Sequence, residues 1–196
     1  MEKHYLYIVL TRTNTTVSRL IGLFTNDEYT HAAISLDKEL SRMYSFARKY
    51  TFNPFIGRFK QEDLNQGLYK FSNTLPGTIM EVEVSKEQYE KAEELINNFI
   101  DNSNSYKYNY KGLIHNLLNK EVCYQDRFLC SEFVYYILNH SGVLDFNMSR
   151  NLVRPETLLQ AKGEIIYKGN LKEIKSISNN YEMEEIKFME LKAIYE

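Results

Sequence analysis

The sequence predicts an α+β fold, because it contains two kinds of segment with different periodicity. Short runs rich in β-branched and aromatic residues, such as Tyr5–Leu10, are bounded by polar residues and are typical of strands. Other segments carry apolar residues at helical spacing, most clearly from Ser85 to about Ile100. With 196 residues, 43% of them hydrophobic, the chain is long enough for one well-packed domain and short for two. We therefore expect one domain over residues 1–175 and a peripheral charged segment over 176–196.

Composition excludes some classes of function. A formal net charge of −2 argues against nucleic-acid binding driven by bulk positive charge. No apolar run approaches the ~20 residues that an integral membrane segment needs. The N-terminus leads directly into a strand-like segment without the separate apolar region of a signal peptide, so we expect a cytoplasmic location. There, Cys123 and Cys130 should stay reduced rather than form a disulfide.

The first part of the chain predicts three strands and a helix. Tyr5–Leu10 is the first strand, and Val17–Phe24 has helical spacing behind a threonine cap. Tyr29–Leu36 is the second strand, Asp37–Leu40 a tight turn, and Ser41–Ala47 a third strand antiparallel to the second.

The later part begins with a long irregular stretch from Arg48 to Pro76, in which the periodicity weakens and aromatic residues are frequent. Loops of that length often form lids or binding elements. Beyond it, the sequence predicts a strand at Gly77–Val84 and a helix at Ser85–Ile100 that opens with a capping box. A short helix follows at Leu113–Leu118. A further helix begins at Arg154, and a final strand covers Glu164–Gly169.

Between the last two predicted helices, Arg127–Leu138 predicts a short lead-in and an amphipathic helix with Cys130 in its opening turn. Unpaired backbone N–H groups and the helix dipole favour negative charge there, which makes a cysteine in that position a candidate nucleophile. The alternative is equally physical: Cys130 lies on the same apolar stripe as Phe133, and buried cysteine is a common inert core residue.

A thiol becomes an acyl-transfer nucleophile when a histidine within hydrogen-bond reach takes its proton. His4 is terminal, His115 lies on the predicted short helix, and His140 is ~15 Å along the helix axis from Cys130. His31 differs from them, because it stands near the start of a strand of small and apolar residues. Sequence spacing alone does not bring that strand close to the helix that carries Cys130. The alternative to a catalytic role is a histidine whose ring is hydrogen-bonded to a backbone carbonyl.

Three blocks of sequence carry a resemblance. Tyr29-Thr-His-Ala-Ala-Ile-Ser-Leu36, Met43-Tyr-Ser-Phe46 and Phe128-Leu-Cys-Ser-Glu-Phe-Val-Tyr135 resemble the circularly permuted branch of the NlpC-type papain-like proteins. Lecithin:retinol acyltransferase-like proteins and many small bacterial hydrolases belong to that branch. Its histidine strand precedes its cysteine helix, which is the order found here. The resemblance covers about Tyr5 to Gly169, with specific motifs only around the histidine and the cysteine.

The resemblance implies a permuted papain-like fold, in which an antiparallel sheet packs against the helix that carries Cys130. It also implies that Cys130 is the nucleophile, that His31 is the general base and later the acid, and that a polar residue on the next strand orients the ring. A tight turn would place residues near 45 and 46 opposite His31, so we select Ser45, with Glu62 as the alternative. Backbone N–H groups at the start of the helix would form the oxyanion hole.

The leading hypothesis is therefore a cysteine-dependent hydrolase or acyltransferase that acts on an amide, peptide or lipid ester through a thioester, with no cofactor and no metal. A second hypothesis is a non-catalytic module that keeps the papain-like fold and binds a ligand or peptide through aromatic residues, namely Phe52, Phe55 and Phe59. A third is a zinc site of poor ligand spacing, formed by His115, Cys123, Cys130 and His140. The substrate and the oligomeric state stay open.

Overall fold

The structure, a computed structural model, describes residues 3–13, 27–48, 57–66, 69–71 and 73–174. The predicted helix Val17–Phe24, the residues Phe52 and Phe55 and the segment 176–196 lie outside these ranges. The described strands are β1 (His4–Thr11), β2 (His31–Ser35), β3 (Met43–Arg48), β4 (Gly57–Glu62), β5 (Pro76–Val84), β6 (Lys107–Tyr108), β7 (Arg127–Phe128) and β8 (Glu164–Asn170). The described α-helices are α1 (Lys86–Asp101), α2 (Tyr110–Leu117) and α3 (Cys130–His140).

Six of these strands form one antiparallel sheet in the order β4-β3-β2-β1-β5-β8, which confirms the α+β prediction. Strand β1 lies inside the sheet, paired with β2 on one side and β5 on the other. Its side chains alternate between two buried clusters: Leu6, Ile8 and Leu10 face one, and Tyr7 and Val9 face the other. Burial on both faces explains why the segment reads as a continuous apolar run.

The helices cover one face of the sheet. Ser85 caps α1 and forms a capping box with Gln88, as the sequence predicts. Helix α3 packs against β2, β3 and α1. Aromatic rings fill the space between sheet and helices, with centroid separations between 5.0 and 6.0 Å among Phe46, Phe59, Phe99, Phe128 and Phe133.

Two predicted elements differ from the structure. The stretch from Arg48 to Pro76 is not irregular throughout, because it contains β4 and a short 3₁₀ turn at Tyr69–Phe71. Strand β4 (Gly-Arg-Phe-Lys-Gln-Glu) has no β-branched residue and lies at the sheet edge, so its sequence carries little strand signal. The helix predicted from Arg154 is a 3₁₀ helix at Glu156–Gln160.

No helix within the described ranges combines the length and the apolar character that crossing a membrane requires.

Candidate active site

The Cys130 side of the site is the N-terminus of α3. Cys130 is the first residue of the helix and is 7% exposed. The carboxylate of Glu132 accepts a hydrogen bond from the Leu129 backbone N–H at 3.1 Å, which closes the start of the helix. The N–H groups of residues 130–132 have no acceptor within the helix, as helix geometry requires. A sulfur at this position therefore lies beside several oriented N–H donors.

Buried polar contacts fix the tip of α3. The Ser131 hydroxyl donates to the Val153 carbonyl at 2.7 Å. The Asn109 side-chain amide donates to both oxygens of the fully buried Glu132, at 3.1 and 3.2 Å, while its own oxygen accepts from the Gly112 N–H at 2.8 Å and so caps α2. Burial raises the pKa of Glu132, against the opposing effect of these donors. The N-termini of α2 and α3 are thus joined through one asparagine.

His31, the first residue of β2, forms the other side of the site. Its Nε2 atom lies 3.1 Å from Oε2 of Glu62, the last residue of β4. The two side chains are 13% and 2% exposed. Nε2 is therefore engaged by the carboxylate, which leaves Nδ1 as the other ring nitrogen.

The electrostatic environment favours a charged ring. Burial lowers the pKa of His31, but the Glu62 carboxylate and the charge and hydrogen-bonding interactions of Cys130 raise it more, to about 10. Burial raises the pKa of Glu62, whereas His31, Lys60 and Tyr69 lower it more, to about 2. At neutral pH the pair is therefore an imidazolium and a carboxylate.

The structure brings Glu62, rather than Ser45, into contact with the ring. Strands β2 and β3 pair only beside their connecting turn, through Ile34 with Tyr44 and Ser35 with Met43. This ladder does not extend to His31, so the turn does not place Ser45 opposite the ring as the sequence predicts. Ser45 is fully buried, and its hydroxyl has no hydrogen-bond partner among the described residues. No hydrogen bond of the Ser45 hydroxyl among the described residues supports the predicted orienting role, whereas Glu62, the alternative residue, is hydrogen-bonded to the His31 ring.

Sequence reasoning missed Tyr69 and Lys60. The Tyr69 hydroxyl donates to Oε2 of Glu62 at 2.9 Å, and Nζ of Lys60 lies 3.7 Å from Oε1. Lys60 and Glu62 are two residues apart on β4 and so share a face, a signal that the sequence does contain once the strand is known. Tyr69 lies in a short turn without periodicity, and nothing in the sequence marks it.

The other candidate residues lie apart. His4 packs on Tyr89, and His140 stacks on Tyr136 at the far end of α3. Cys123 is exposed and contacts the Ser149 hydroxyl at 3.3 Å. Within the ranges that the structure describes, no three His, Cys, Asp or Glu side chains come together to hold a metal, so the zinc hypothesis has no geometric support.

Comparisons with protein-family models, with curated proteins and with solved structures find no match.

Proposed function

We propose that this protein is a cysteine-dependent hydrolase or acyltransferase with a permuted papain-like fold, in which Cys130 attacks an amide, peptide or lipid ester bond. The observation that carries the proposal is the buried His31–Glu62 hydrogen bond of 3.1 Å, on a ring whose pKa is also raised by Cys130, the first residue of α3. The order of histidine strand and cysteine helix, and the antiparallel sheet packed against that helix, support the proposed fold.

In the resting enzyme, His31 is already protonated at neutral pH. An imidazolium with a pKa of about 10 stays charged at neutral pH, so the sulfur faces a cation and the helix N-terminus at once. In the proposed reaction, His31 is the group that takes the thiol proton and later acts as the acid.

Acylation then follows. The thiolate forms a bond to the substrate carbonyl carbon, and the carbonyl π electrons move to oxygen, where the N–H groups at the start of α3 stabilise the charge. The tetrahedral intermediate collapses to a thioester as the bond to the leaving nitrogen or oxygen breaks. His31 donates its proton to that leaving atom and becomes neutral.

Deacylation reverses these roles. Neutral His31 takes a proton from water, or from an acceptor hydroxyl or amine, whose oxygen or nitrogen attacks the thioester. The acyl group leaves on this atom, and the thiolate and imidazolium return. Glu62 stabilises the charged ring and fixes its plane in both halves of the cycle.

The competing hypothesis, a binding module, loses part of its basis. Phe59, one of the three aromatic residues assigned to a ligand surface, is 5% exposed and packs in the core.

Alkylation by iodoacetamide with mass mapping tests the proposal. In the wild-type protein near neutral pH, Cys130 should react far faster than the exposed Cys123, and His31→Ala should slow Cys130 alone. Cys130→Ser is the matched control for assignment of the label. Slow and equal labelling of both cysteines would overturn the proposal, and a panel of fluorogenic esters, thioesters and peptides would then be expected to show no turnover that depends on Cys130.

A further inference from the structure

The Glu62 carboxylate contacts two polar side chains besides the His31 ring, namely Tyr69 and Lys60. Its Oε2 atom accepts from His31 Nε2 at 3.1 Å and from the Tyr69 hydroxyl at 2.9 Å. Its Oε1 atom lies 3.7 Å from Nζ of Lys60. The carboxylate is therefore held at both oxygens, by groups from three different segments of the chain.

The surroundings of Tyr69 keep its hydroxyl protonated, so that it can donate a hydrogen bond to Glu62. It lies in the 3₁₀ turn Tyr69–Phe71, is 5% exposed, and packs in the cluster that includes Tyr7, Val9 and Leu75. Its ring centroid is 6.5 Å from that of His31. Burial, and then the charge of Glu62, raise the pKa of Tyr69 well above its ordinary value, so the phenol keeps its proton.

We propose that Tyr69 is a positioning residue, which acts on the reaction by holding the Glu62 carboxylate in the orientation that fixes His31 beside Cys130. This inference rests on the proposed function. Without Tyr69, His31 makes the remaining hydrogen bond to the carboxylate among the described residues, because Lys60 at 3.7 Å is beyond hydrogen-bond distance. The carboxylate can then turn about its terminal bond, and the ring turns with it. A second donor on the same oxygen removes that freedom, which preorganises the ring before substrate arrives.

The test is the rate of Cys130 alkylation by iodoacetamide between pH 2 and 9, a range that includes the Glu62 pKa of about 2. It is measured in Tyr69→Phe, which keeps the ring and removes the hydroxyl. We expect the rate on the acidic side to fall about tenfold, the size of one hydrogen bond to a charged group. The acidic limb should move to higher pH, because Glu62 loses a donor that stabilises its charge. Three groups face Glu62 in the described structure, namely His31, Lys60 and Tyr69, and the substitution leaves His31 and Lys60 unchanged.

A double-mutant cycle separates positioning from a merely structural role. If Tyr69 acts through Glu62, then adding Tyr69→Phe to Glu62→Gln should cause little further loss. Tyr7→Phe is the matched control, because Tyr7 is also 5% exposed and its hydroxyl donates to a carboxylate, that of Glu81, at 3.0 Å. That control should leave the alkylation rate unchanged.

Each outcome decides the inference. A Tyr69→Phe rate equal to wild type, or a loss that adds fully to that of Glu62→Gln, would overturn it while the proposed function stands. An unreactive Cys130 in the wild-type protein would overturn both. If circular dichroism shows that Tyr69→Phe does not fold, 3-fluorotyrosine at position 69 keeps the shape and strengthens the donor. The acidic limb should then move to lower pH, and an unchanged limb would contradict the inference.

Discussion

His31 and Glu62 are joined by a hydrogen bond of 3.1 Å, although they are 31 positions apart and lie on strands separated by β3. Both side chains are largely buried, at 13% and 2% exposure. Removing one partner of such a buried charge pair strongly destabilises the folded protein, because the other charge is left uncompensated. The pair is therefore the element of the site that mutation tests best.

Replacing Glu62 with glutamine should lower the reactivity of the Cys130 thiol. Loss of the carboxylate removes the largest cause that raises the pKa of His31, so burial should lower that pKa and favour the neutral ring. We expect alkylation of Cys130 at neutral pH to slow by tenfold or more, since hydrogen bonds to charged groups contribute about 1.5–3 kcal/mol. Glu81→Gln is the control, and equal rates in Glu62→Gln and wild type would contradict the assignment.

The pair should also give stability a characteristic pH dependence. The pKa of His31 is raised from 6.5 to about 10, so its contribution is full below pH 6.5 and is lost as pH rises through about 10. The pKa of Glu62 is lowered from 4.5 to about 2, so its contribution is full above pH 4.5 and is lost as pH falls through about 2. The His31–Glu62 interaction contributes to both shifts, so the two contributions to stability are not added.

Urea unfolding of wild type and Glu62→Gln measures this dependence. The wild-type advantage in the free energy of unfolding should be largest between pH 4.5 and 6.5 and smaller at pH 9.5. Glu90→Gln, which breaks the exposed Lys86–Glu90 pair, should show no such profile. If the difference in the free energy of unfolding between wild type and Glu62→Gln is constant from pH 5 to 9.5, that result would count against a charged His31–Glu62 pair.

Ser45→Ala should be silent. The Ser45 hydroxyl is buried without a hydrogen-bond partner among the described residues, so removing it loses no bond and relieves a desolvated polar group. We expect unchanged alkylation of Cys130 and a free energy of unfolding that is equal or higher by about 1 kcal/mol. A large loss of reactivity would restore Ser45 as the residue that orients His31.

Asn109→Ala should destabilise the fold. The substitution removes the two side-chain hydrogen bonds from Asn109 to the buried Glu132 carboxylate, and it removes the cap of α2. We expect a loss of roughly 2–3 kcal/mol in the free energy of unfolding, measured by urea titration. Asn102→Ala is the control, because its hydrogen bonds at the end of α1 are exposed. A loss no larger than that of the control would mean that the bridge between the two helices contributes little.

The sequence predicts the elements of this fold better than the partners within its site. The first strand and the capped helix α1 follow directly from apolar periodicity and from Ser85 with Gln88. The choice of Ser45 fails to find a contact for a physical reason: where the β2–β3 ladder ends is decided by packing, which local sequence does not encode. Tyr69 is beyond sequence reasoning because a three-residue turn has no period.

The charged state of the His31–Glu62 pair is tested most directly by ¹⁵N NMR of histidine-labelled protein, in which the His31 signals are assigned by their loss in His31→Ala. We expect imidazolium signals for His31 at pH 7.5 that persist until the pH approaches about 10. In Glu62→Gln they should be lost at lower pH. A neutral His31 ring at pH 7.5 in the wild-type protein, titrating near pH 6.5, would contradict a charged His31–Glu62 pair.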